Sequence, residues 1–215
     1  MTEPRQWSYS SLSTYEQCAL KYKLNKIDGL DSPAGSAAAR GTRIHEAIES
    51  YLKHETGGLP DVVQSSFGEE LDRSREAYAV AEAEISLDTN WAPVLWDDGW
   101  VRAKLDMVIA EKSIIVDFKT GRYYPGHRDQ ASLYALLSMV SDLTEHAYVE
   151  FWYIDQNDVV TWEFNRRNLA NLKEKWAFKA RKLQEETEWE ATPNKFCKWC
   201  PFSASKGGQC VFGGE

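Results

Sequence analysis

Residues Trp100 to Tyr134 read WVRAKLDMVIAEKSIIVDFKTGRYYPGHRDQASLY, and their pattern decides the fold. Val101, Ala103, Leu105, Met107 and Ile109 alternate with Arg102, Lys104 and Asp106, the period-two signature of a half-buried strand with Asp106 on its polar face. In Val116-Asp117-Phe118-Lys119-Thr120 the same alternation turns Val116 and Phe118 toward a core and stands Asp117 beside Lys119 on the other face. Glu111-Lys112-Ser113 is short enough for a hairpin turn. Closure there makes the strands antiparallel and brings Asp106 near Asp117 on one face of the sheet.

Two converging carboxylates and a lysine have a chemical meaning. Hard oxygen ligands suit Mg²⁺ or Mn²⁺, and a nearby ammonium can orient a water or neutralise charge building on a phosphorane-like transition state. An Asp-x-Lys triplet alone also describes an ordinary surface ion pair, so the rest of the chain has to supply the context.

Downstream, Gly121 to Gly126 reads as a loop and Arg128 to Val140 as a helix with Leu133, Leu136, Leu137 and Val140 inward. Gln130 and Tyr134, four apart, share a face that can reach back to the carboxylates. Ala147–Ile154 and Val159–Phe164 form a predicted strand pair, and Asn168 to Glu188 a long basic-then-acidic helix.

Upstream, Trp91 to Trp96 is expected to be a second strand and Ala81 to Leu87 a first one. The latter carries Glu82 or Glu84 toward Asp106, with Glu84 preferred because it lies deeper in the strand. Phe67 to Ala81 reads as an acidic amphipathic helix, after a loop at Thr56–Pro60. Gly41 to His54 is a helix with the stripe Ile44, Ile48, Tyr51 and Leu52, beside which His45 and Glu49 stand four apart. Gly29 to Gly35 is a mobile turn. Ser8 to Leu24 is a helix opened by the capping box Ser13-x-x-Glu16, and it carries Cys18.

The chain has 215 residues, 43% hydrophobic and 27% charged, which suits one well-buried soluble domain. No apolar run approaches the roughly 20 residues of a membrane span, and MTEPRQWSYSS has no secretory pattern, so a cytoplasmic setting is expected. No G-x-x-x-x-G-K-[ST] loop is present, which excludes an ATP motor of that type. The net charge of −8 opposes a polyanionic partner, but its distribution does not. Glu46 to Gly99 holds 13 acidic and 3 basic residues, whereas Thr161 to Lys182 holds 7 basic and 2 acidic, so a basic helix face is available within an acidic protein.

In a reducing compartment the four cysteines read as metal ligands or reactive thiols rather than two disulfides. Cys197-x-x-Cys200 followed by Cys210 resembles most of a metal-binding knuckle, and Cys18 is the cysteine left to complete it, clipping the two ends of the chain together. Four thiolates hold tetrahedral Zn²⁺ or a 4Fe-4S cluster, and spacing does not separate the two.

Taken in order, Cys18 in YEQCALKY, His45 in GTRIHEAIE, the glutamate of AEAEISL, Asp106 in AKLD, DFKTG, QASLY and the terminal cysteines resemble the PD-(D/E)xK nuclease superfamily. Within it they resemble the RecB-type nucleases with a cysteine-bound cluster, which include the RecB and AddB nuclease domains and the CRISPR-associated RecB-like exonucleases. Ala103 stands where the family commonly has glycine, and the superfamily's proline is missing near Asp106. The resemblance implies an α/β fold of the restriction-endonuclease type: a mixed sheet flanked by helices, with terminal helical segments at 8–24 and 191–215 clipped by the four-cysteine cluster around a nuclease core of about 36–190.

It further implies that His45, Asp106, Asp117 and the Phe118 carbonyl bind Mg²⁺ or Mn²⁺ and that Lys119 positions the attacking water. Glu84 would supply a further acid, and Gln130 and Tyr134 would support the lysine and the DNA. Cys18, Cys197, Cys200 and Cys210 would hold 4Fe-4S in preference to Zn²⁺. The implied activity is metal-dependent hydrolysis of DNA, foremost as an exonuclease on single-stranded ends in recombination, repair or phage replication, alongside a separate helicase or recombinase. End trimming in CRISPR adaptation with an integrase, and a non-catalytic DNA-binding module, are the alternatives.

Overall fold

The computed structural model describes residues 4–30, 35–55 and 57–212. Its elements, in chain order, are α1 (Tyr9–Gln17), α2 (Ala19–Tyr22), a π-helical turn (Lys23–Ile27), α3 (Ser36–Leu52), α4 (Asp61–Glu76), β1 (Val80–Leu87), β2 (Val101–Ile109), β3 (Ile114–Lys119), α5 (Gly126–Ser141), β4 (His146–Tyr153), β5 (Asp158–Asn165) and α6 (Leu169–Glu185). They divide into two compact units, Ser36–Trp176 and Met1–Gly35 with Ala177–Glu215. Among the described residues no helix is long and apolar enough to cross a membrane.

In the larger unit the sheet runs β1-β2-β3-β4-β5. β3 and β4 are parallel, since α5 carries the chain across between them, and the other neighbours are antiparallel. The β2–β3 turn closes on Ser113 in the left-handed conformation (φ 52°). Ile44, Ile48 and Leu52 of α3 and Val63, Phe67 and Leu71 of α4 repeat at four-residue spacing. They pack on Met107, Ile109, Val116, Phe118, Trp152 and Ile154. The mixed sheet flanked by helices is therefore as expected from the sequence. α5 is buried continuously from Ala131 to Val140.

Trp152 anchors that core. It stacks on Phe67 at 4.9 Å, meets Phe118 edge to face at 5.8 Å and is 5% exposed. Trp152→Ala is expected to cost about 3–5 kcal/mol, read as a lower urea midpoint with an unchanged slope.

Four local expectations are corrected. Trp91–Trp96 is not a strand: Asp88 Oδ1 accepts the Asn90 and Ala92 N–H groups, Pro93 has none to give, and among the described residues one isolated bridge, Leu87↔Pro93, joins the loop to β1. The acidic helix occupies Asp61–Glu76, not Phe67–Ala81; it starts directly after Pro60 and bends at Phe67. The first capping box is at Ser8, whose side chain accepts from Ser11 N while Ser11 Oγ accepts from Ser8 N. Cys18 lies not within a helix but between two, in extended conformation (φ −167°). Of the Gly29–Gly35 turn, residues 31–34 lie outside the described residues.

In the smaller unit Trp7, Leu12, Tyr22, Leu24, Ala180, Leu183 and Phe202 are buried. Arg5 closes the end of α6 by donating to the carbonyls of Leu183, Gln184 and Glu186 at 2.7, 2.6 and 3.0 Å. Trp189 stacks on Tyr22 at 5.7 Å.

Candidate active site

The site begins where two strands part. The β2–β3 ladder ends at Met107↔Val116, so Asp106 and Asp117 stand just beyond the last pair. Strand separation leaves the Phe118 N–H without a backbone partner on the β2 side, and Asp106 Oδ2 accepts it at 2.8 Å. His45 of α3 approaches the same oxygen to 3.4 Å, with its ring edge-on to Phe118. Burial acts to lower the His45 pKa, but its hydrogen bond to Asp106 and the charges of Asp106 and Asp117 outweigh this, and the net shift is upward.

On β3, Val116 and Phe118 enter the α3–α4 core, so Asp117 and Lys119 face α5. Lys119 Nζ lies 2.5 Å from Asp117 Oδ2. This close ion pair sets the ammonium directly against the buried carboxylate. Gln130 joins the pair: its Oε1 accepts from Lys119 at 3.1 Å and its Nε2 donates to Asp117 Oδ1 at 3.1 Å and to Tyr134 Oη at 2.7 Å. The i, i+4 spacing on α5 thus sets Gln130 and Tyr134 side by side below the strand. Burial, then the charges of Asp117 and Asp106, hold the Tyr134 hydroxyl neutral far above its usual range.

Burial pushes the Asp117 carboxyl up to about 6, against the opposing charge of Lys119 and with help from Asp106. The folded state therefore keeps a proton that the unfolded chain gives up near its ordinary pKa of about 3.9. In metal-free protein, stability should fall as pH rises from about 4 through about 6 and level off above that. Asp117→Asn should flatten the profile and melt higher than the parent at pH 8; calorimetry across that range reads both.

Glu84 pairs with Lys104 across the ladder and is exposed. Glu82 instead has φ 56°, drops out of the ladder and forms the 2.6 Å ion pair with Lys104. Glu82, Glu49 and Glu84 all raise the Lys104 pKa. Lys104 was not singled out from the sequence, although it stands two before Asp106 on the same polar face. Two further neighbours carried no sequence signal: Phe151, whose ring lies 4.7 Å from Lys119 Nζ, and His127, whose Nδ1 is 2.6 Å from Tyr153 Oη. Burial, then Lys119, lowers His127 to about 4, so it is neutral at physiological pH.

In the smaller unit Cys18, Cys197, Cys200 and Cys210 are free thiols lining one cleft. The backbone N–H groups of Thr192 and Asn194 point at Cys18 Sγ and Cys197 Sγ, at 3.4 and 3.3 Å. A Cβ on Gly208 would lie 2.3 Å from the Phe202 carbonyl carbon, so this turn requires glycine. Among the described residues no three His, Cys, Asp or Glu side chains stand in metal-holding geometry. At the strand site the donor set nonetheless suits a hard divalent cation: two carboxylates whose charges disfavour each other, and an imidazole 3.4 Å from one of them.

A sequence model of the PD-(D/E)XK nuclease superfamily matches residues 6–205. No curated protein sequence matches the chain. Among solved structures, the crystal structure of SSO0001 is 17% identical with a TM-score of 0.47, over 98% of this chain and 88% of that one. The alkaline exonuclease LHK-Exo from Laribacter hongkongensis is 12% identical with a TM-score of 0.31, over 84% of this chain and 90% of that one.

Proposed function

Because this chain belongs to the PD-(D/E)XK nuclease superfamily, we propose that it is a Mg²⁺- or Mn²⁺-dependent deoxyribonuclease acting as an exonuclease on single-stranded DNA ends, in recombination, repair or phage replication. The observation that carries the proposal is the meeting of His45, Asp106, Asp117 and Lys119 where β2 and β3 part, with Gln130 bridging the last two. His45, Asp106, Asp117 and the Phe118 carbonyl would hold the cation. When bound, it would polarise the scissile phosphate and lower the pKa of a water.

The protein's own groups do the rest. The Phe118 N–H fixes the Asp106 carboxylate, so a ligand is oriented by backbone rather than by a mobile side chain. Gln130 and Phe151 restrict the Lys119 ammonium, which is left able to aim the water and offset charge growing on phosphorus. Tyr134, kept protonated, donates or accepts only as a neutral hydroxyl and so supports Gln130. Glu82, bent out of the ladder beside Lys104, is better supported than Glu84 as the additional acid.

The cysteines are proposed to hold a 4Fe-4S cluster, or Zn²⁺, that secures the smaller unit. Their common cleft and the N–H groups aimed at two sulfurs support this. The RecB-like subtype and a separate helicase or recombinase as partner rest on the order of motifs along the chain.

Digestion of DNA labelled at each end in turn, by anaerobically purified protein with Mg²⁺ or Mn²⁺, tests the reading. Metal-dependent release of nucleotides from one labelled end is expected. A folded protein that binds DNA yet never cuts single strands, duplexes or branched substrates would overturn it.

A further inference from the structure

Lys119 stands at the head of a row of aromatic rings of which the proposed hydrolysis uses only the first, Phe151. Its ammonium lies 4.7 Å from the Phe151 ring centre, Phe151 meets Trp162 edge to face at 5.2 Å, and Trp162 stacks on Tyr123 at 6.5 Å with the rings 28° apart. The pairing dictates this alignment. Asp117↔Phe151 and Val149↔Trp162 keep these residues of β3, β4 and β5 on one face of the sheet.

The outer end of the row is open, with Tyr123 51% and Tyr124 48% exposed. Buried His127 holds both tyrosines from below, its ring 6.0 Å from Tyr123 and 4.1 Å from Tyr124. The charge beside the rings is positive: exposed Arg122 precedes Tyr123, and exposed Arg128 lies in the first turn of α5. Neither arginine is ion-paired among the described residues. Exposed ring faces next to unpaired guanidinium groups fit a ligand that is flat, apolar in face and anionic along its edge.

We infer that the open end of this row is a stacking track for unpaired bases of the strand cut at Lys119, with Tyr123 and Tyr124 taking bases, Trp162 backing Tyr123, and Arg122 and Arg128 taking the neighbouring phosphates. The inference rests on the nuclease reading for the identity of its ligand. Bases within a duplex already stack on one another and offer only their edges, so a track of ring faces selects single strands.

The test is binding of a fluorescent single-stranded oligonucleotide in EDTA, where no cleavage interferes, compared with a duplex and with an abasic strand of the same length. Tyr123→Ala should weaken binding of the intact strand about tenfold, Tyr123→Phe should restore it, and the abasic strand should bind parent and variant alike. Equal affinity of parent and Tyr123→Ala for the intact strand, or an equal loss on the duplex and abasic strands, would overturn the track. The nuclease reading fails separately: a protein that discriminates bases through Tyr123 but never cuts keeps the track and loses the hydrolase.

Discussion

Lys119→Ala protein is expected to cleave single-stranded DNA about a thousandfold more slowly than the parent, a loss of about 4 kcal/mol of transition-state stabilisation. Asp117→Ala should fall at least as far, because it removes a proposed metal ligand and the partner of Gln130 together. The two losses should not add, since Lys119, Gln130 and Asp117 form one connected set. Lys119→Ala also removes the charge that opposes the upward shift of Asp117, so the carboxyl of the variant should titrate higher still. Single-turnover cleavage, with circular dichroism to confirm folding, reads the first effect, and NMR titration of the carboxyl reads the second. Cleavage within a few-fold of the parent in Lys119→Ala would remove the lysine from the chemistry.

Cys197→Ser is expected to have the largest effect on stability. If the four thiols hold a metal group, losing one ligand should abolish stoichiometric metal and cost several kcal/mol, since such binding energy is folding energy. A 4Fe-4S cluster predicts a brown parent protein with broad absorption near about 400 nm that disappears in the variant. Zn²⁺ predicts a colourless parent with one equivalent of zinc by elemental analysis. Thermal melts with equal amounts of metal and no change in either protein would reduce the four cysteines to unrelated thiols.

The parts of the fold legible in the sequence are those governed by short-range periodicity. Alternation in residues 101–109 and 114–119 marked both site strands, and the short link between them required an antiparallel pair that brings Asp106 to Asp117. The i, i+4 relation of Gln130 and Tyr134 was readable in the same way. What escaped depended on single backbone angles or on register between distant strands. The left-handed φ of Glu82 takes it out of the ladder and into an ion pair with Lys104, and no alternation rule foresees one such residue. Phe151 lies beside Lys119 only because β3 and β4 pair in parallel with Asp117 opposite Phe151, a register set through an intervening helix. Trp91–Trp96 carried strand-like residues, but the Asp88 side chain captured the N–H groups that a ladder needs.

Arg5 binds carbonyls 178 to 181 residues away, and the smaller unit is assembled from two segments far apart in sequence. On a ribosome, the amino-terminal helices therefore emerge long before the residues that complete their core. At roughly 5–20 residues per second the wait is on the order of ten seconds or more, during which Trp7, Leu12 and Tyr22 have no native partner from the carboxy-terminal segment. Ser36–Trp176 is continuous in sequence and can consolidate in the meantime. The smaller unit consequently waits for its second segment: a chain cut short before Phe202 could finish the sheet yet would leave Trp7, Leu12 and Tyr22 without their later partners and open to proteolysis.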